Sequence, residues 1–223
     1  MKNIEEIKKN LIEVGELYHK NLNMNYEFYN ERLKRKIVEY ESIFDYLYSV
    51  NEREYRFLFI EKVLPYLSKE EISETISYVY IDAEHPESYY EMNREKLIEL
   101  FKLVDKNLVM NEKERAVYDS LDDEVVVYRG VPGNKEERVK ALSWTINKEK
   151  ARWFASRPTR SETPSALYRA KINKKDIFLF TERRHESEII LNPNKLKEIE
   201  KIETFSKEKA KEVADKNHGL FFN

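Results

Sequence analysis

From residue 1 to about 118, apolar positions recur at three- and four-residue intervals among charges, beginning with Ile4, Ile7, Leu11, Val14 and Leu17. That spacing lays one apolar stripe along each of a series of helices. It predicts further helices over 26–50, over 52–67 with Pro65 near the end, over 68–80 opening on a serine cap, and over 93–108. Asn111 caps a last one over 112–120, and His85-Pro86 marks a loop. Past Leu121-Asp-Asp-Glu124 the period shortens. Runs at 125–128, 141–144, 166–172, 177–180, 187–191 and 197–204 are rich in β-branched and aromatic residues and predict strands. One helix, 147–156, interrupts them behind Asn147 as cap, and a final helix, 206–216, stops near Asn217-His218-Gly219. The apolar Leu220-Phe221-Phe222 that follows either docks on the core or binds a partner. The pattern is α+β: a helical subdomain over 1–120 and a strand-rich region over 121–223.

Composition narrows the chemistry. The chain has 223 residues and no cysteine, so disulfides and thiolate metal sites are excluded. Its four histidines, at 19, 85, 185 and 218, are too scattered to suggest a metal cluster. The first ten residues alternate charge without an apolar core, and no window approaches the roughly 18 apolar residues of a membrane span. A cytosolic protein without a membrane partner is expected. Net charge is −2, but it is partitioned: residues 1–124 carry 18 basic and 28 acidic groups, and residues 125–223 carry 22 and 14. A basic second half suits an anionic ligand such as a dinucleotide, or a nucleic acid; a solvated lysine-rich surface is the plainer account.

Three short blocks in that half combine polar residues with apolar runs, the way a sheet presents chemistry at its rim. The first is Val-Val-Val-Tyr128-Arg129-Gly130, where a buried strand delivers a guanidinium whose fork can bind phosphate or ribose oxygens. An exposed carboxylate partner would equally explain such an arginine. The second is Ser143-Trp144-Thr145, whose alternation turns both hydroxyls to one side; a polar edge strand would read the same. The third is Glu186-Ser187-Glu188 followed by Ile-Ile-Leu. On a strand both carboxylates share a face and couple, which raises the pKa of one of them. With only four glycines, at 15, 130, 133 and 219, neither a Rossmann nor a P-loop phosphate cradle can be built.

In this order and at these separations, the three blocks resemble the arginine-serine-glutamate class of mono-ADP-ribosyltransferases. Those enzymes show a Tyr-Arg-Gly-like strand end, a Ser-x-Thr strand and a Glu-x-Glu or Gln-x-Glu pair. The likeness covers about residues 120–205. It implies an N-terminal helical subdomain packed on a mixed, split β-sheet core, with NAD as co-substrate in the cleft between the sheets and no metal. By the same likeness Arg129 anchors NAD, Gly130 lets the backbone approach the nicotinamide amide, and Ser143 positions the catalytic glutamate. A plain turn with Pro132 and Gly133 is the other account of Gly130.

Thr145 would brace the nicotinamide ribose, and Phe154 would stack near the nicotinamide unless it is simply core. Glu188 would face the positive charge that develops on the sugar and bind its 2′-hydroxyl, while Glu186 orients or deprotonates the acceptor. The loop at 181–185 corresponds to the acceptor-recognition loop, with Arg183, Arg184 and His185. A Glu-x-Glu pair is similar to that of arginine-modifying members, so a protein arginine is one acceptor. The basic half and its aromatics keep an RNA or DNA base as the other. The composition also resembles small bacterial or phage members that act as cytosolic toxins with a cognate antitoxin. An NAD glycohydrolase using the same residues and a non-catalytic partner-binding module are the rival expectations.

Overall fold

The computed structural model describes residues 4–22, 42–49, 53–83, 85–89, 91–134, 136–157 and 164–217. The chain forms two compact units, Met1–Val109 and Met110–Asn223. Among the described residues no helix is long and apolar enough to cross a membrane.

In the first unit, α1 (Ile4–Leu22) buries Ile7, Leu11 and Val14, the stripe its spacing predicts. Of the expected helix 26–50, only α2 (Ile43–Ser49) falls within the described residues; the apolar 220–222 tail lies outside them. The single helix expected over 52–67 is α3 (Arg56–Val63) between 3-10 turns at Arg53–Tyr55 and Leu64–Tyr66. Pro65 has no N–H to continue the α-helical ladder, so the chain tightens there. Ser68 caps α4 (Lys69–Asp82) in a reciprocal capping box with Glu71.

The helix expected over 93–108 is broken into α5 (Arg94–Lys102), capped by Asn93, and α6 (Lys106–Val109). Asp105 causes the break. Its carboxylate accepts from the Asn107 amide at 3.0 Å and pairs with Lys69 at 2.6 Å, while its own N–H donates to Ser73 Oγ at 2.9 Å. The bonds that take the Asn107 and Asp105 amides compete with continuing the helix, and the Lys69 ion pair holds the carboxylate in place.

The second unit opens with α7 (Glu112–Ser120), capped by Asn111 with Glu114 reaching back to the Asn111 amide. Sequence pattern groups this helix with the helical half. The structure ties it to the strands, because Tyr118 Oη donates to the Lys174 carbonyl and Glu114 binds the end of a strand described below. The six strands fall where the alternation places them: β1 (Glu124–Val131), β2 (Ser143–Thr145), β3 (Ser165–Asn173), β4 (Ile177–Thr181), β5 (Glu188–Leu191) and β6 (Lys197–Phe205). They form one sheet in the order β4-β5-β2-β1-β3-β6.

The coarse α+β class holds, with one correction: every pairing among the described residues is antiparallel, so the sheet they form is not mixed. Each strand runs against its neighbours, so the ladders carry the perpendicular hydrogen bonds of antiparallel pairing. The short 3-10 turns at Lys174–Asp176 and Pro193–Lys195 join strands that are not paired with each other.

Nor is the sheet divided in two, yet its halves meet narrowly. β1 and β2 share one register pair, Tyr128 with Thr145, whereas β1 and β3 pair along their length. The three-residue turn Lys174–Asp176 joins β3 to β4, which lies four places away in the strand order. Four strand spacings across a flat sheet come to about 19 Å, and the connection spans about 14 Å at full stretch. The sheet is therefore sharply folded, and its weakest join is the β1–β2 seam.

Two helices, α8 (Lys148–Ser156) and α9 (Lys207–Asn217), supply Ala151, Ala155 and Val213 to a core with Leu167 and Phe205; Tyr128 packs against its side.

Candidate active site

β2 lies between β1 and β5, so residues on it touch both halves of the sheet. Thr145 stands opposite Tyr128 on one side and Glu188 on the other. Strand alternation turns Ser143 to the same face as Thr145, and Ser143 Oγ donates to Glu188 Oε1 at 2.5 Å. Glu188 is 3% exposed. A buried carboxylate needs partners to offset its desolvation, and Glu188 has two, because its Oε2 accepts from Arg184 Nη2 at 3.3 Å. Arg129 joins this pair through Ser143. Its Nε donates to the Arg138 carbonyl at 2.9 Å and its Nη1 to the Ser143 carbonyl. The strand-end arginine thus clamps the backbone of the serine strand, and neither of those bonds goes to a carboxylate.

Glu186 is placed differently from the expectation. β5 begins at Glu188, and Ser187 has φ 46, so strand alternation does not bring the two carboxylates together. Arg184 does: Nη2 lies 3.2 Å from Glu186 Oε2 and 3.3 Å from Glu188 Oε2. His185, with φ 56, is a second left-handed residue in the same loop. Such backbones cost about 1–3 kcal/mol each for non-glycine residues and persist only when their surroundings impose them. Here the clamps are mostly side chains. Glu182 accepts from Ser187 Oγ at 2.6 Å and from its amide at 3.0 Å, and the Glu182 carbonyl takes the His185 amide at 2.8 Å. Lys150 Nζ donates to Ser187 Oγ at 2.9 Å and lies 3.7 Å from Glu182. Thr145 Oγ1 shares its proton between the Glu186 and Ser187 carbonyls, at 2.8 and 3.0 Å, and accepts from the Asn147 amide.

The start of the loop is held from α7. Glu114, 3% exposed, accepts from Thr181 Oγ1 at 2.9 Å and from the Glu182 amide at 2.8 Å through Oε1, while Oε2 closes the capping box. Arg183, Arg184 and His185 are exposed at the tip.

Burial is the largest influence on Glu186 and raises its pKa to about 7; Arg184 opposes the shift, and the neighbouring Glu188 adds to it. The charges of Arg157 and Lys150 also act to lower it. Arg157 lies over the rings of Trp153 and Phe154, 5.3 and 5.8 Å from their centroids, and the two rings meet edge to face at 5.0 Å. Phe154 and Trp153 are both half-buried. Trp144 is core, with its indole N–H on the Ala141 carbonyl.

Gly130 lies inside β1 and not in the turn, and it meets a packing requirement that neither expectation named. A Cβ there would stand 2.1 Å from the Ala151 carbonyl oxygen and 2.4 Å from the Ala155 amide, so glycine lets α8 cross β1 in backbone contact. The turn that follows uses Gly133, at φ 70.

Sequence reasoning missed Glu114, Lys150, Glu182, Trp153 and Arg157. The Asn111-x-x-Glu114 spacing is a capping-box signature and could have drawn attention to Glu114. Nothing in Thr-Glu-Arg-Arg-His distinguishes Glu182 from its charged neighbours. No protein-family model, no curated protein and no solved structure matches this chain.

Proposed function

We propose that the chain is an NAD-dependent mono-ADP-ribosyltransferase, with the folded antiparallel sheet as its catalytic core. The observation that carries this reading is the buried Glu188, hydrogen-bonded to Ser143 Oγ and joined to Glu186 by one guanidinium. Breaking the bond between nicotinamide and ribose leaves positive charge on the sugar, and a fixed carboxylate in a water-poor site stabilises that charge best. Glu188 serves that role, and the Ser143 hydroxyl fixes its orientation. Arg129 holds the Ser143 strand in place. Because two of its N–H bonds go to protein carbonyls, its part in binding NAD is chiefly one of charge.

Glu186, with a pKa near neutrality, accepts the proton of the attacking group. Half-buried Phe154 and Trp153 offer aromatic faces for the nicotinamide end. The acceptor is a macromolecule, a protein arginine or a nucleic-acid base. The fit of a guanidinium between the two glutamates favours arginine. Action as a toxin or phage-conflict effector in a bacterial cytoplasm, controlled by a cognate inhibitor, would suit such an activity.

The test incubates the wild type and Glu188→Gln with labelled NAD and a cell lysate, then divides the label among protein, RNA, DNA and free ADP-ribose. Label in one macromolecular fraction, absent with the variant, supports the transferase and names its acceptor class. Free ADP-ribose alone indicates a glycohydrolase, and no nicotinamide release from the wild type sinks the enzyme reading.

A further inference from the structure

Arg184 is the residue whose position the proposed reaction does not require. An arginine that only recognised an acceptor could face outward from the loop tip. This one turns inward, with a single nitrogen, Nη2, 3.2 Å from Glu186 and 3.3 Å from Glu188. The loop enforces that direction: the His185 amide is tied to the Glu182 carbonyl, and the left-handed residues at 185 and 187 bring Arg184 and both glutamates to one point. We propose that Arg184 is itself an acceptor, modified within its own chain when NAD is consumed; this rests on the transferase reading above.

The geometry supplies what group transfer needs. Glu188 Oε1 is occupied by Ser143, so Oε2 is the oxygen turned toward the loop, and that oxygen holds Nη2. Nη2 therefore lies beside the carboxylate that the transferase reading sets beneath the sugar, the side from which a nucleophile would reach C1″. The neighbouring Glu186 is positioned to take its proton. In the step, the bond from ribose C1″ to the nicotinamide nitrogen breaks and its electron pair leaves with nicotinamide. The Nη2 lone pair forms a new C1″–N bond, and the guanidinium proton passes to Glu186 and then to solvent. No further reactant is required.

Tethering favours this transfer over one to a free acceptor. A group held by a short loop acts at an effective concentration on the order of millimolar, so an outside arginine must compete with Arg184 for the same two carboxylates. At 42% side-chain exposure the guanidinium keeps room to move, and a bulky group attached to it has somewhere to go. Once attached, an ADP-ribose would cover the site, so activity should decline with turnover.

The experiment incubates the purified full chain with adenine-labelled NAD, follows nicotinamide release, and maps the label by fragmentation mass spectrometry. A parallel sample receives free ADP-ribose. The expected result is one ADP-ribose per chain at Arg184, formed at a rate independent of protein concentration, absent with free ADP-ribose and lost in Arg184→Gln. Nicotinamide release with Arg184 unmodified overturns the inference and leaves the enzyme reading standing. Label at Arg184 from free ADP-ribose marks simple glycation and also overturns it. If the wild type releases no nicotinamide, both fail. Mapping on the wild type keeps the test valid even if the variant folds poorly.

Discussion

The two glutamates are two residues apart, yet they are held by different means. Glu188 belongs to a strand: its place opposite Thr145 is set by the β2–β5 register, and its carboxylate is buried against Ser143. Glu186 belongs to a loop with two left-handed residues, held by Glu182, Lys150, Thr145 and, one step back, Glu114. Register fixes a position through many backbone hydrogen bonds, whereas the loop depends on a few side chains. Single substitutions should therefore affect the two positions in different ways.

The largest effect is expected at Glu188. Glu188→Gln keeps the shape and a hydrogen bond to Ser143 but removes the charge, and nicotinamide release should fall by about 10²–10³-fold. The binding of NAD, measured by calorimetry, should change far less. A fall in affinity that accounts for all the lost turnover would place Glu188 in ground-state binding and break the assignment.

Glu114→Ala comes next, and it tests the loop alone. It leaves Thr181 Oγ1 and the Glu182 and Asn111 amides without their carboxylate. Losing a buried, charged acceptor of this kind should cost about 3 kcal/mol, read by denaturant unfolding. Amide exchange should quicken over 182–187 and stay slow in β5. Equal loosening of both segments would show that the loop and the strand are one mechanical unit, and the comparison would fail. Gly130→Ala should cost somewhat less, about 2 kcal/mol, because α8 must retreat from β1 to admit the methyl group.

These contrasts also mark what the sequence could reveal. Strands and caps were legible because each is written in a local period or a single residue: the alternation from Val125, Ser68 before its helix, Asn111 three residues before Glu114. The broken helix at Asp105 was not, since its cause is a bond to Ser73, 32 positions away. In the site, the Ser143–Glu188 pair follows from two strands lying side by side, and its residues stood out as polar positions beside apolar runs. Arg184 between the glutamates depends on left-handed turns at His185 and Ser187, residue types that do not announce such a backbone. The close approach at Gly130 was equally hidden, because it is set by the backbone of α8, a helix that follows only after β2.

The smallest effect lies in the pH dependence of Glu186. The folded chain holds this proton up to about pH 7, against an ordinary value of 4.5. Between those values the folded state binds a proton that the unfolded chain has released, so stability falls as pH rises from 4.5 to about 7 and then levels off. Glu186→Gln removes the titration. The variant should match the wild type near about pH 4 and exceed it by on the order of 2 kcal/mol at about pH 8.5, allowing for partial exposure. Transfer activity should run the opposite way in the wild type, rising through about pH 7 as Glu186 becomes able to accept a proton. A loop carboxylate whose ionisation costs stability while enabling the reaction would separate Glu186 from Glu188 by function as well as by structure. If the stabilities of the two proteins instead stay parallel across that whole pH range, burial does not control Glu186, and the contrast between the strand-held and loop-held carboxylates reduces to geometry.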